Sequence, residues 1–237
     1  MALAAICFAP MTVHAAAPES VPAFDATYVV RYGILRGTMT LQLSRRDTGY
    51  LYETSLSPRG VASWIRHGSI SERTVLENLD GTVRPLEYAS TDTIASPVRN
   101  TSYFFDQEPG RVTGQYKTYL IDEPMRAGGH NRISAQIAII LALRSGTRLS
   151  PFSIFDRGRW KDYEFEITGD QTVKTPSGRF DTIEIRYASA DNAKSWSLYC
   201  AASLDYLPVM IVFRESGKVK SRAQLTDYRI GEQGPPD

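Results

Sequence analysis

Apolar residues occupy every second position along most of this chain, and no other feature constrains its fold as strongly. The alternation runs through residues 28–34, 39–43, 163–167 and 183–187, where mostly polar residues fill the intervening positions. Successive side chains of a β-strand point to opposite faces, so the pattern predicts antiparallel strands with one buried and one solvated face. Turn-forming residues separate these segments, as in Gly33–Gly37, Asp47-Thr48-Gly49, Asp80-Gly81, Pro109-Gly110 and Pro176-Ser177-Gly178.

One segment breaks the alternation. Between residues 132 and 144 apolar residues recur at helical spacing, Asn131 can cap the start of a helix, and Gly146 can end it. A helix that is apolar on most sides needs burial on most sides. We therefore predict a mainly β fold, a curved antiparallel sheet or an open β-barrel, with this one α-helix buried in its concave face. A short second helix is predicted around residues 61–66.

The first 17 residues are typical of a signal peptide whose basic start is truncated. They contain no Asp, Glu, Lys or Arg, residues 2–9 are apolar, and small-x-small cleavage sites follow at 13–15 and 15–17. These features predict export to the periplasm. Cleavage would leave Cys200 as the only cysteine, without a disulfide partner, in an apolar alternation that favours a packed core position.

The rest of the chain is predicted to form one domain. Residues 18–23 are expected to be a flexible leader, residues 24–230 a single β-rich domain, and residues 231–237 a disordered tail. No transmembrane segment is expected, because the longest apolar stretch, residues 137–143, is far shorter than the ~18 residues needed to cross a membrane. The formal net charge of +1 gives no electrostatic footprint for nucleic acid.

Residues that could carry catalysis or hold a metal are sparse. Asp47-Thr48-Gly49 matches the aspartic-protease triplet, but the strands predicted on either side of it indicate a hairpin turn. Beyond the signal segment only His67 and His130 remain, and neither has the close ligand partners that zinc sites show. We therefore expect a non-enzymatic protein without a cofactor or metal. A hydrolase of an envelope polymer, with a triad gathered by the fold, stays an alternative.

Aromatic side chains are abundant along the predicted strands, with 13 Tyr, 9 Phe and 3 Trp. A plain sheet core explains them, because aromatic residues favour strands. They also suit an apolar cavity with hydroxyl handles for a lipid or another hydrophobic ligand, and the sequence does not separate these two interpretations. The candidate ligand-binding residues are Trp160, Tyr163, Phe165, Tyr187 and Trp196 on the strands, and Ile137 and Leu141 on the helix.

The order of several short motifs resembles a known family. Residues 24–37 read FDATYVVRYGILRG, the helix follows at 131–144, residues 175–180 read TPSGRF, and Trp196 precedes residues 204–209, LDYLPV. Over residues 24–230 this arrangement is similar to the bacterial exported proteins of domain-of-unknown-function family 3108. The resemblance implies an envelope protein with a mostly antiparallel β fold, built like a lipoprotein carrier as an open barrel around a helix. It brings no catalytic residues with it.

Two hypotheses about function follow. The first is a periplasmic binding or carrier protein whose concave apolar face holds a lipid, a lipidated segment or a similar amphiphile, covered by the helix. The second is a protein–protein adaptor in cell-envelope assembly, which would use an exposed strand edge or an apolar patch to bind an envelope protein.

Overall fold

The alternating segments form strands of one continuous sheet. The computed structural model describes residues 20–60, 63, 67–189 and 193–231. The predicted signal peptide, most of the short helix predicted at 61–66 and residues 232–237 of the predicted tail lie outside the described residues. The strands are β1 (Phe24–Tyr32), β2 (Leu35–Arg46), β3 (Gly49–Arg59), β4 (Ile70–Leu79), β5 (Thr82–Asp92), β6 (Arg99–Asp106), β7 (Arg111–Tyr116), β8 (Tyr119–Pro124), β9 (His130–Asn131), β10 (Phe152–Asp156), β11 (Arg159–Thr175), β12 (Gly178–Ser189), β13 (Lys194–Ala201), β14 (Leu207–Glu215) and β15 (Lys218–Ile230).

Two meanders make up this sheet. In the N-terminal meander, β1 to β8, each strand pairs with the next, and the same holds for the C-terminal meander, β10 to β15. The antiparallel pairing of β1 with β15 joins them into a sheet of fifteen strands. Among the described strands only β9 and β10 pair in parallel. The predicted fold class is confirmed, a curved and mainly antiparallel sheet with one buried α-helix.

The two ends of the sheet are held together by side-chain contacts and not by strand pairing. Its two end strands, β8 and β9, are not paired with each other, so the barrel is open along a seam. Trp160 of β11 donates its indole N–H to the carbonyl of Pro124 at 2.8 Å, and Arg126 forms an ion pair of 2.7 Å with Asp162. Tyr103 packs edge-on against Phe155, with ring centres 4.9 Å apart. These contacts hold β8 and its neighbours against the β10–β11 hairpin.

Within the part of the chain that the structure describes, one long helix, α1 (Ser134–Ser145), fills the concave face of the sheet. Ile137 and Leu141 pack in a core shared mainly with the N-terminal meander, whereas Ile139 packs against the C-terminal meander. The helix therefore buries opposite sides against opposite walls. This arrangement explains why its apolar residues run round most of its circumference.

Both ends of α1 are fixed by the residues that the sequence singles out. The Asn131 side-chain oxygen accepts the backbone N–H groups of Ile133 at 3.1 Å and Ser134 at 2.9 Å. Gly146 adopts a left-handed conformation, with φ of 67°, and its N–H bonds back to the carbonyl of Leu143. A residue without a Cβ suits this position. The helix begins at Ser134 rather than at Arg132, because the chain first turns around the Asn131 side chain.

The described part of the predicted leader is packed. Val21 and Ala23 are each 1% exposed, and the backbone N–H of Val21 donates to the Tyr50 hydroxyl at 2.8 Å. The sequence predicts flexibility for residues 18–23. Residues 20–23 instead extend the packing of β1, and Gly231 donates a backbone hydrogen bond to the carbonyl of Ala23.

Candidate functional site

The seven predicted ligand-binding residues do not surround one cavity. Ile137 and Leu141 are buried in the core between α1 and the sheet, where they pack against apolar side chains of the strands. Trp160 lies at the seam of the barrel. The remaining four, Tyr163, Phe165, Tyr187 and Trp196, lie together on the face of β11–β13 that packs against α1.

Those four residues belong to a continuous row of rings across the C-terminal meander. We call five of its members the aromatic ladder, one from each strand from β10 to β14. Successive ring centres are 4.3, 5.7, 5.4 and 4.9 Å apart, in the order Phe152, Phe165, Tyr187, Trp196 and Phe213. Tyr163 packs edge-on against Tyr187 and Trp196. Four rings of the ladder are partly exposed and Tyr187 is buried, so the ladder keeps some contact with solvent.

A charged cluster lies near the aromatic ladder, because Arg132 follows two residues after His130, whose ring packs against Phe152. Glu72 of β4 accepts the Tyr88 hydroxyl at 2.6 Å and an Arg132 guanidinium N–H at 3.2 Å. Arg132 lies at the entrance to α1 and is close enough to Tyr187 for the two groups to interact electrostatically. Burial, together with the Glu72 carboxylate, raises the pKa of Tyr88, so its hydroxyl stays protonated and donates. Partly exposed aromatic rings and a few polar groups thus lie near one another.

One feature of the sequence indicates this cluster, although the alternation alone does not predict it. Glu72 occupies an inward position of β4, between Ile70 and Thr74 in the alternation, where an apolar residue is expected. An inward charge on a strand calls for a buried partner. Arg132 supplies that partner from a segment 60 residues away in sequence, which no local pattern could indicate.

His130 and Ser134 form a buried pair at the start of α1. Their side chains lie 3.5 Å apart, which resembles the base and nucleophile of a hydrolase. However, Ser134 accepts the backbone N–H of Asn131 at 2.8 Å and can donate back to its carbonyl. Burial also lowers the pKa of His130 to about 4. The His130 ring packs edge-on against Phe152, and the Ser134 side chain is fully buried.

The other candidate reactive residues lie in a turn or in the core. Asp47 and Thr48 form the two-residue turn between β2 and β3, as predicted, and a Cβ at Gly49 would lie 2.0 Å from the carbonyl oxygen of Leu76. Cys200 is fully buried, and burial raises the pKa of its thiol. Within the described ranges, no group of three or more His, Cys, Asp or Glu residues is arranged to hold a metal ion.

Two spaces in the structure lie away from the predicted ligand-binding residues. A groove of about 380 Å³ lies over β2–β5, and most of its side chains alternate with the buried ones, so it opens on the face turned away from the core. A cavity near Val21 and Ile140 measures about 10 Å³, roughly the room of one water. Neither space is lined by any of the seven predicted residues. The groove is polar apart from Ala89, with Thr40, Gln42, Glu53, Thr54, Ser55, Ser71, Glu72, Arg73, Ser90 and Thr91 around it.

Fold and site together define an open, mainly antiparallel barrel around a helix, with an aromatic row on the face that packs against this helix. The chain belongs to the family described as Protein of unknown function (DUF3108), whose sequence profile matches residues 24–221. The resemblance stated from the motifs is thereby confirmed. No curated protein matches the sequence.

A solved structure shows the same kind of fold. The β-barrel-like protein of domain of unknown function DUF1849 from Brucella abortus superposes with a TM-score of 0.61 at 10% identity, covering 90% of this chain and 99% of that one. The complex of MucA and MucB from Pseudomonas aeruginosa matches with a TM-score of 0.40 at 13% identity, covering 92% of this chain and 54% of the matched one. The first likeness establishes fold alone, and the second carries no conclusion about partners. No helix in the described ranges is long and apolar enough to span a membrane.

Proposed function

We propose that this protein is a non-enzymatic binding protein of the bacterial cell envelope, located in the periplasm, that takes the apolar part of an amphiphile at the aromatic ladder. A lipid or a lipidated segment is the ligand class. The observation that supports the proposal is the ladder itself, four of whose five rings are partly exposed on the concave face. Exposed rings in a row are expected to gain free energy when an apolar ligand covers them.

The polar cluster suits the other end of such a ligand. Small-molecule sites are mostly apolar, with a few placed polar groups that set orientation. Arg132 is 49% exposed while its partner Glu72 is 8% exposed, so the guanidinium reaches solvent and the carboxylate is shielded from it. An anionic or hydroxylated head group would bind there, beside Tyr187.

The ligand site differs from the one that the sequence suggests. Ile137 is fully buried and Leu141 is 2% exposed, so a ligand that touched them would have to displace α1 from both walls. Placing the ligand on the ladder requires no such rearrangement. The binding residues are therefore Phe165, Tyr187 and Trp196 of the predicted set, joined by Phe152 and Phe213.

The test is oleate binding by native mass spectrometry and titration calorimetry. We expect wild-type protein to bind oleate, and Phe165→Ser and Phe213→Ser each to bind about tenfold more weakly, because each removes a ring that the ligand would cover. Phe104→Ser is the matched control, since Phe104 is 52% exposed on β6 outside the ladder. Equal affinity of the ladder variants and wild type, or no binding by wild type, would overturn the proposal.

A second candidate function is an adaptor that adds a partner strand to β8. This strand ends the sheet, and its residues Tyr119 and Leu120 are 67% and 87% exposed. An unpaired edge with exposed apolar side chains is a template for strand addition. A photocrosslinker at position 120 should give one dominant protein adduct in cells, while the same group at exposed position 84 on β5 should not. Identical adduct patterns at the two positions would count against the adaptor.

A further inference from the structure

Four arginines lie directly opposite one another across four neighbouring strands. Arg222 of β15 pairs with Arg31 of β1, Arg31 with Arg36 of β2, and Arg36 with Arg59 of β3. All four side chains are exposed. At the usual strand spacing of about 4.8 Å, this arginine ladder spans roughly 14 Å. The sequence shows no basic run, because the pairing of strands assembles the ladder.

The arginine ladder carries uncompensated charge. Like charges directly opposite each other destabilise a sheet, yet among the described residues none of the four forms an ion pair or a side-chain hydrogen bond. Residues 31–36, 59 and 214–222 hold seven basic residues and one acidic residue, Glu215, although the whole chain carries only +1. Glu215 is already engaged by Lys194 and Lys220, at 3.9 Å each. A feature that weakens the fold and lacks an internal partner points to an external one.

Apolar side chains project from the same end of the barrel. Ile34 at the tip of the β1–β2 hairpin is 97% exposed and Tyr32 beside it is 55% exposed. Val219, near the tip of the β14–β15 hairpin, is 50% exposed, and the pairing of β1 with β15 makes the two hairpins neighbours. Arg31 and Arg36 lie within three residues of Ile34, so cationic and apolar groups share one tip. Peripheral membrane-binding surfaces combine these two features.

We propose that this end of the barrel docks on a bilayer rich in anionic phospholipid. The arginine ladder faces the phosphate groups, and Ile34, Tyr32 and Val219 enter the interfacial region. A soluble polyanion would satisfy the arginines but not the apolar tips, which is why the occupant is a membrane surface. This inference is independent of ligand binding at the aromatic ladder.

The experiment is co-sedimentation of the protein with vesicles of phosphatidylglycerol or of phosphatidylcholine. We expect wild-type protein to bind the phosphatidylglycerol vesicles, to bind more weakly at high salt, and to leave the phosphatidylcholine vesicles unbound. The triple variant Arg31→Gln, Arg36→Gln, Arg222→Gln should lose roughly fivefold in affinity for each arginine. Ile34→Ser should weaken binding at low and at high salt alike, because the contribution of the Ile34 side chain is apolar.

The matched control is Arg46→Gln with Arg84→Gln, two exposed arginines outside the ladder, which should bind as wild type does. The triple variant should unfold at no lower temperature than wild type, since it relieves repulsion, so weaker binding cannot come from misfolding. Equal binding to both kinds of vesicle would overturn the inference, as would a triple variant or Ile34→Ser that binds like wild type. Phe165→Ser should keep vesicle binding, which separates this inference from the proposed function.

Discussion

Glu72 and Arg132 form an ion pair of 3.2 Å that ties the entrance of α1 to the wall of the N-terminal meander. The two members are unequally shielded, because the Glu72 side chain is 8% exposed and the Arg132 side chain is 49% exposed. The second oxygen of the carboxylate is used by the Tyr88 hydroxyl. Removing the arginine would therefore leave a shielded carboxylate with one neutral partner.

We expect Arg132→Gln to destabilise the protein by about 1–3 kcal/mol, less than a fully buried pair would lose because the guanidinium is half in water. Glu72→Gln should be milder, since its amide oxygen can still accept from Tyr88. Chemical denaturation gives both values. The double variant should be more stable than the sum of the single losses predicts, because it removes the unpaired charge. Strict additivity would contradict the coupling, and Arg84→Gln, at an exposed position of β5, should stay within about 0.5 kcal/mol of wild type.

Asn131 supports a second prediction at the same end of α1. Its oxygen accepts two helix N–H groups, and its amide donates to the Thr74 hydroxyl at 2.8 Å. Asn131→Ala should lower the free energy of unfolding by about 1–3 kcal/mol, because buried N–H groups lose their acceptor. Asn131→Asp keeps the acceptor oxygen and should recover part of the loss. Similar stabilities for the Ala and Asp variants would argue against the cap.

The alternation predicted the strands well because it records a local property. Side chains two residues apart on a strand lie on the same face, so the pattern around positions 41 and 185 indicates that both face the core. Leu41 and Ile185 are indeed buried. The helix was predicted for the same reason, from its own spacing and from Asn131 and Gly146 at its ends. The aromatic residues of β11–β13 were also found together, because they occupy matching positions of adjacent strands.

The rest of the site depends on contacts that no local pattern encodes. Arg31 meets Arg222 only because the first strand pairs with the last. Glu72 meets Arg132 only because α1 enters beside β4. Ile137 and Leu141 carry the same apolar pattern whether they cover a ligand or fill a core, and only the closeness of both walls shows that they fill the core.

Trp160 supports a prediction about the seam. Its indole donates to Pro124 and its ring packs against Phe155 at 5.0 Å, so it joins the two ends of the sheet. Trp160→Phe keeps a ring but loses the donor, and should destabilise by about 1 kcal/mol. Hydrogen exchange of the β8 amides should quicken more than that of β1, because β8 is held on one side by this seam. Trp196→Phe is the matched control, and equal quickening of β8 in it would contradict this role.

His130 makes stability depend on pH. Burial lowers its pKa to about 4, whereas in the unfolded chain the imidazole titrates near its ordinary value of about 6.5. Between these values the unfolded chain binds a proton that the folded protein does not, so stability is complete above about pH 6.5 and falls as the pH drops towards 4. The loss should amount to about 3 kcal/mol by pH 4. His130→Gln should flatten this part of the stability curve relative to wild type, whatever its effect on stability at neutral pH. His67→Gln, at an exposed position, should leave the slope unchanged, and parallel curves for wild type and His130→Gln would show that other groups cause the loss.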